Sequence, residues 1–177
     1  ENRPNIVWLV AEDQSQYFFP FYGDKTVDLP NVGQLLENGI LYDEMHSPYP
    51  VCAPARSAII TGMYPSSIGT GNQRAYHQKR KVRPDSESKL GFPYYSSKLA
   101  EAIKPFTQIL RENGYYCTNN SKTDYQFAAP VTAWDQNGDK AHWKNRNKNQ
   151  PFFSVFNFDV THESKMWLHR NKPLTVR

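Results

Sequence analysis

Residues 50–65 read PVCAPARSAIITGMYP. Cys52 stands directly before a proline-bearing helix start, and Arg56 follows one turn further on. Pro54 suits the first turn of a helix, where its missing N–H costs nothing. Ser57, Ala58, Ile59 and Ile60 continue the helix, and Gly62 ends it. The Cys52 side chain is thereby expected at the positive end of a helix, next to a guanidinium. That arrangement suits a tetrahedral anion such as sulfate or phosphate.

Outward toward the N-terminus, Ile40 to Met45 is a strand candidate. Leu29 to Asn38 is expected to be helical, with Asp28 as N-cap and Gly39 as C-cap. Asn5 to Ala11 is a continuous apolar run and reads as a buried parallel strand. Glu12 and Asp13 follow it at once. Toward the C-terminus, residues 65–98 are rich in Ser, Pro, Gly and basic residues and read as a long excursion near a ligand. Leu99 to Asn113 is expected to be helical, divided at Pro105. Gly114 closes it. Tyr115 to Thr118 is a short strand leading to Lys122, and residues 119–150 are polar and irregular. Phe152 to Phe158 is a strand leading to His162.

Strands alternating with helices give an α/β fold with a mostly parallel sheet flanked by helices. Glu12, Asp13, Lys122 and His162 all fall just after expected strands, and ligand sites in such sheets lie at the carboxyl ends of strands. The 177 residues are long enough for one domain with a real core.

Composition bounds the possibilities. The 177 residues are 38% hydrophobic and 14% aromatic, enough for a globular core. No run of about 18 apolar residues exists, so no transmembrane helix is expected. Glu1 looks like a mature end, a hint of a periplasmic or secreted protein. Cys52 and Cys117 make no Cys-x-x-Cys metal pattern, and sequence leaves a disulfide between them open. The net charge is +4. Lys79, Arg80, Lys81 and Arg83 form one basic run, and Lys140, Lys144, Arg146 and Lys148 another. Either is a solvated loop or a surface for an anionic partner. No nucleic-acid module accompanies them, so nucleic acid is not expected.

Cys52, Pro54 and Arg56, followed by Thr61, Gly62, Tyr64 and Pro65, resemble the signature of the type I sulfatases. The opening Arg3 to Asp13 is similar to that family's first strand and acidic metal ligands. Gly114 to Lys122 and Phe152 to Glu163 resemble the strands delivering its lysine and histidine. The resemblance implies an alkaline-phosphatase-like fold and a sulfuric ester hydrolase acting on sulfated carbohydrate. Asn119 to Tyr125 resembles a bacterial branch near the heparan and N-sulfoglucosamine sulfohydrolases, which points to a glycosaminoglycan. A maturation enzyme would oxidise Cys52 to formylglycine. Its hydrate would attack sulfur with one hydroxyl, and the second would then lose its proton to expel sulfate and restore the aldehyde. Glu12 and Asp13, with residue 52, would hold Ca²⁺ or Mg²⁺. Arg56 would hold the hydrated aldehyde and the metal-site carboxylates. Lys122 would contact sulfate, and His162 would contact sulfate or protonate the leaving group.

The chain departs from that family at Glu12, where aspartate is usual, and at Asp124, where many members carry histidine; His77 is a candidate substitute. The Asp-His-Gly or Asp-Asn-Gly segment that completes the metal site in longer members does not occur here. The chain is therefore read as the N-terminal portion of a sulfatase, inactive without its C-terminal remainder. Two alternatives stand beside this reading. One is a phosphate- or phosphonate-ester hydrolase of the same superfamily. The other is a non-catalytic module that binds sulfated glycans.

Overall fold

The computed structural model describes residues 3–73, 91 and 95–165. His77, the basic run at 79–83 and His169 lie outside the described residues. The chain gathers into two compact units: residues 1–8 with 47–156, and residues 9–46 with 157–177.

The sheet has four strands: β1 (Ile6–Ala11), β2 (Tyr116–Asn120), β3 (Gln136–Asn137) and β4 (Phe152–Phe158). Their order is β1-β4-β2-β3. β2 runs parallel to both neighbours, with Tyr116 opposite Phe152 and Thr118 opposite Gln136. Residues directly opposite on β2 and β4 also join through their side chains: the hydroxyls of Thr118 and Ser154 lie 2.6 Å apart, both fully buried. Short helices α1 (Pro30–Leu36), α2 (Cys52–Thr61) and α3 (Phe106–Glu112) complete the alternation.

The first unit has an aromatic core. Phe153 of β4 meets Trp8 edge-on at 4.9 Å and Phe106 of α3 edge-on at 5.2 Å. Each such pair adds about 0.5–1.5 kcal/mol beyond its area burial. Together they fix α3 against β4. Cys117, on the neighbouring strand, is fully buried, and its thiol donates to the Thr107 carbonyl at 3.6 Å. Burial, with Asp135 nearby, pushes that thiol up to about 12. Cys52 and Cys117 are both free thiols, which closes the question of a disulfide.

Several elements differ from the sequence expectation. β1 forms at the expected place but is not buried: Val7 is 47% and Leu9 60% exposed. Among the described residues it is an edge strand, paired on one side only, which leaves its apolar side chains uncovered. Ile40–Met45 is not a strand. Its residues are largely exposed, Met45 at 81%, so burial that would favour pairing is missing. α1 is shorter than expected, and Leu29 rather than Asp28 is its N-cap, with Pro30 opening the first turn. In 99–113 only Phe106–Glu112 is helical, because Pro105 sits at the N-cap instead of dividing a longer helix. β2 runs two residues past Thr118, to Asn120. Residues 119–150 are not wholly irregular: they hold β3 and a single 3-10 turn at Trp143–Asn145. Cys52 is the first residue of α2, not the residue before it.

In the second unit, Tyr17 and Phe18 are 77% and 60% exposed, so these two do not pack as core. Phe21 lies against the open side of Gly33 in α1. Among the described residues no helix is long and apolar enough to cross a membrane.

Candidate active site

In the first unit, α2 sets Cys52 and Arg56 one turn apart. The helix ends where Gly62 adopts φ 66°, a left-handed conformation that glycine takes without strain. Its Val51 N-cap has no side-chain hydrogen bond to give. Gln73, twenty residues beyond Ala53, supplies one instead: the Ala53 N–H donates to Gln73 Oε1 at 3.4 Å. The same carboxamide reaches Cys52, with Gln73 Nε2 donating to Sγ at 3.3 Å.

Ser57 ties α2 to the loop after β2. Its hydroxyl, fully buried, donates to the Ala53 carbonyl at 2.7 Å and accepts from the Gln126 N–H at 3.1 Å. Arg56 Nη1 donates to the Lys122 carbonyl at 3.3 Å. That loop turns sharply: Ser121 and Asp124 have φ of 71° and 57°, left-handed values uncommon for residues with side chains. Lys122 Nζ lies 3.3 Å from Asp124 Oδ2, and the Asp124 side chain is 5% exposed. Tyr125, stacked on Phe127 at 5.2 Å, has its phenol pushed well above the usual range by burial, partly opposed by the Arg56 guanidinium. The first unit therefore brings Cys52, Arg56 and Lys122 together, and adds Gln73 and Asp124.

In the second unit, the residues after β1 and β4 meet. Glu12 N–H donates to the Phe158 carbonyl at 3.2 Å. Asp13 has φ 55°, and its Oδ2 accepts from the Glu163 N–H at 2.9 Å. His162 Nε2 stands 4.0 Å from that same oxygen. Ser164 N–H donates to His162 Nδ1 at 3.1 Å. Nδ1 is thus the acceptor, and in the neutral ring the proton sits on Nε2, facing Asp13. The unit therefore brings Asp13 and His162 together, with Glu12 buried beside Asp13 in sequence.

The donors at positions 12 and 13 are carboxylate oxygens, the ligand type of hard cations. Glu12 is only 5% exposed. This donor chemistry fits Ca²⁺ or Mg²⁺.

Sequence reading named Cys52, Arg56, Lys122, Glu12, Asp13 and His162. It noted Asp124 only as a departure and did not see Gln73. A single glutamine in a loop carries no periodicity or spacing that would have marked it, whereas Asp124 was detectable as an acidic residue two places after the lysine.

The sulfatase family model matches residues 4–173. An ulvan-active sulfatase of Formosa agariphila is 50% identical over 165 residues, covering 93% of this chain and 26% of that protein. Among solved structures, one described as in complex with its substrate D-glucosamine-2-N,6-O-disulfate superposes with a TM-score of 0.65 at 18% identity. It covers 92% of this chain and 35% of its own. A second, in complex with k-i-k-neocarrahexaose, gives a TM-score of 0.65 at 19% identity, covering 93% of this chain and 46% of its own. The chain thus spans about a quarter of the curated relative's length. The sheet and its helices share the alkaline-phosphatase-like fold of those sulfatases. With nearly the whole chain matched, from the first strand to beyond the histidine that follows β4, this protein belongs to the sulfatase family.

Proposed function

We propose that this chain is the N-terminal portion of a formylglycine-dependent, metal-assisted sulfatase that removes sulfate esters or sulfamates from a sulfated glycan. The observation that carries this reading is Cys52 on the first turn of α2, within the Cys-x-Pro-x-Arg signature, with Arg56 reaching the backbone of Lys122. The relative named for ulvan and the neighbours solved with a sulfated glucosamine and a carrahexaose support a carbohydrate substrate. Such a polymer is met outside the cytoplasm, so we place the enzyme in the periplasm or the medium.

A formylglycine made from Cys52 by a maturation enzyme would supply, when hydrated, the hydroxyl nucleophile that attacks sulfur. Glu12 and Asp13, with residue 52, would hold a divalent metal, whose charge would neutralise sulfate oxygens when bound. Arg56 fixes the loop that carries Lys122. Lys122 presents its ammonium to a sulfate oxygen. His162, with its proton on Nε2 in the neutral ring, donates to sulfate or to the leaving oxygen.

The test is peptide mass spectrometry across Cys52 on full-length protein from its natural host, paired with sulfate-release and phosphate-release assays. Conversion of the thiol to an aldehyde with sulfate release supports the reading. Unconverted Cys52 throughout removes the nucleophile, and salt-sensitive glycan binding that survives Cys52→Ala would then point to a binding module. Preferential phosphate release would point to an ester hydrolase of phosphate or phosphonate. The isolated 177-residue chain is expected to release no sulfate.

A further inference from the structure

Gln73 touches both the backbone of α2's first turn and the side-chain heteroatom of residue 52. The Ala53 N–H can be received only by the amide oxygen, so that contact fixes which way the carboxamide faces. It turns the NH₂ group toward Cys52, where Nε2 lies 3.3 Å from Sγ. The thiol returns a longer contact to Oε1 at 3.7 Å. A carboxamide held in this way offers residue 52 a donor and an acceptor at once. The N-cap residue Val51 makes no side-chain cap of its own.

We infer that Gln73 is a further residue of the active site, whose carboxamide holds the reactive atom of residue 52, as sulfur before conversion and as oxygen after it. This rests on the sulfatase reading only for the converted form. In the unconverted protein the contact stands by itself. The donor Nε2 hydrogen-bonds the atom it faces and so fixes its position, while Oε1 keeps the first turn of α2 in place. The two halves of the amide therefore have separable roles. Glutamate keeps the acceptor and loses the donor; methionine, of similar length, loses both.

The experiment uses the full-length protein in two forms. In the first, made in a host without the maturation enzyme, Cys52 remains a thiol and is alkylated with iodoacetamide at one fixed pH near neutral. Mass spectrometry follows the Cys52 peptide. Gln73→Met and Gln73→Glu are both expected to slow alkylation by roughly tenfold, the size of a lost hydrogen bond. Thermal unfolding is expected to shift for Gln73→Met and not for Gln73→Glu, which separates the cap from the donor. In the second form, converted protein is labelled with an aminooxy probe and assayed for sulfate release. Both variants are expected to change the labelling rate and to lower kcat by about tenfold or more at little-changed KM, the pattern of an interaction made to the reacting group.

Alkylation rates of both variants within about twofold of the parent, less than the hydrogen bond removed would account for, would overturn the inference. So would a slowed Gln73→Met beside a Gln73→Glu that behaves as the parent, since Gln73 would then be a helix cap and nothing more. Failure of the sulfatase reading is seen separately, as absence of conversion at Cys52 in natural material. The thiol assay decides the role of Gln73 in either case.

Discussion

Lys122 and Asp124 show how much a single residue can alter a site. Both lie on the loop after β2, 3.3 Å apart, and the pair is largely out of solvent. Removing one member of a buried pair leaves the other charge uncompensated, which costs about 3–5 kcal/mol in the fully buried limit. Lys122 is 20% exposed, so a smaller loss of about 1–3 kcal/mol is expected for Asp124→Asn. The double variant Lys122→Met/Asp124→Asn is expected to recover part of it, because both members of the pair are removed together. Denaturant unfolding of the four proteins in the cycle checks this. Additive losses would mean that the two side chains do not stabilise each other. Activity is expected to separate from stability: Lys122→Met loses sulfate release by about 10²-fold or more, the usual cost of one electrostatic stabiliser, and remains inactive in the double variant. The sequence revealed the lysine through its place after a strand. It did not reveal the pairing, because a left-handed turn at Asp124 brings the carboxylate back to the ammonium, and no pattern of residue types encodes that turn.

At the scale of elements, α2 works through Ser57 as much as through Cys52. The Ser57 hydroxyl joins the helix's own first turn to the N–H of Gln126, so it connects α2 to the segment after β2. Ser57→Ala leaves the Gln126 N–H without its acceptor in a buried place, a loss of about 1–3 kcal/mol. Ser57→Thr keeps the hydroxyl but adds a methyl where the residue is fully buried, so it is expected to cost about 1–3 kcal/mol through overpacking. The measurements are unfolding free energy and sulfate release in the full-length protein. Ser57→Ala should lower both, since the loop it anchors carries Lys122. An unchanged rate in a destabilised Ser57→Ala variant would show that the loop keeps its place without this link. The elements that sequence placed well, α2, β4 and the position of β1, are those with strong local punctuation: Gly62 after α2, Pro151 before β4, Glu12 and Asp13 after β1. Those it misplaced depend on contacts far along the chain. Ile40–Met45 has the composition of a strand but pairs with no strand among the described residues, and β3 has two residues of polar sequence held by its register beside β2 and by hydrogen bonds from the side chains of Asn119 and Asn145.

At the scale of the molecule, the groups among the described residues whose titration burial shifts most are Cys117 and Tyr125, and both are shifted the same way. Burial raises Cys117, and Asp135 adds to it against the opposing Arg111 guanidinium. Burial also raises Tyr125, and burial with Asp135 raises Tyr116. A raised acid holds its proton longer when folded than when unfolded. Above the unfolded value of 9.0 for a thiol, the folded chain therefore binds more protons, and stability must fall as pH rises toward about 12. Each such group contributes a slope of at most about 1.4 kcal/mol per pH unit across its window. Stability is expected to be insensitive to Cys117 below pH 9 and to decline above it. Cys117→Ala lowers stability at neutral pH, since it deletes a fully buried atom and its contact with the Thr107 carbonyl. It should nevertheless flatten the alkaline limb, so that the gap between variant and parent narrows from pH 9 to 11. Urea unfolding at pH 7, 9, 10 and 11 measures both limbs. A constant gap would mean that Cys117 does not hold its proton in the fold, and the alkaline loss would then belong to the tyrosines. The thiol that the motif marks for chemistry and the thiol that the core keeps inert lie in one unit. Cys52 meets an amide on the first turn of a helix, while Cys117 meets only carbonyl oxygen and packed side chains. The difference in surroundings, not in residue type, separates the thiol proposed for the reaction from the thiol that bears on the alkaline stability of the fold.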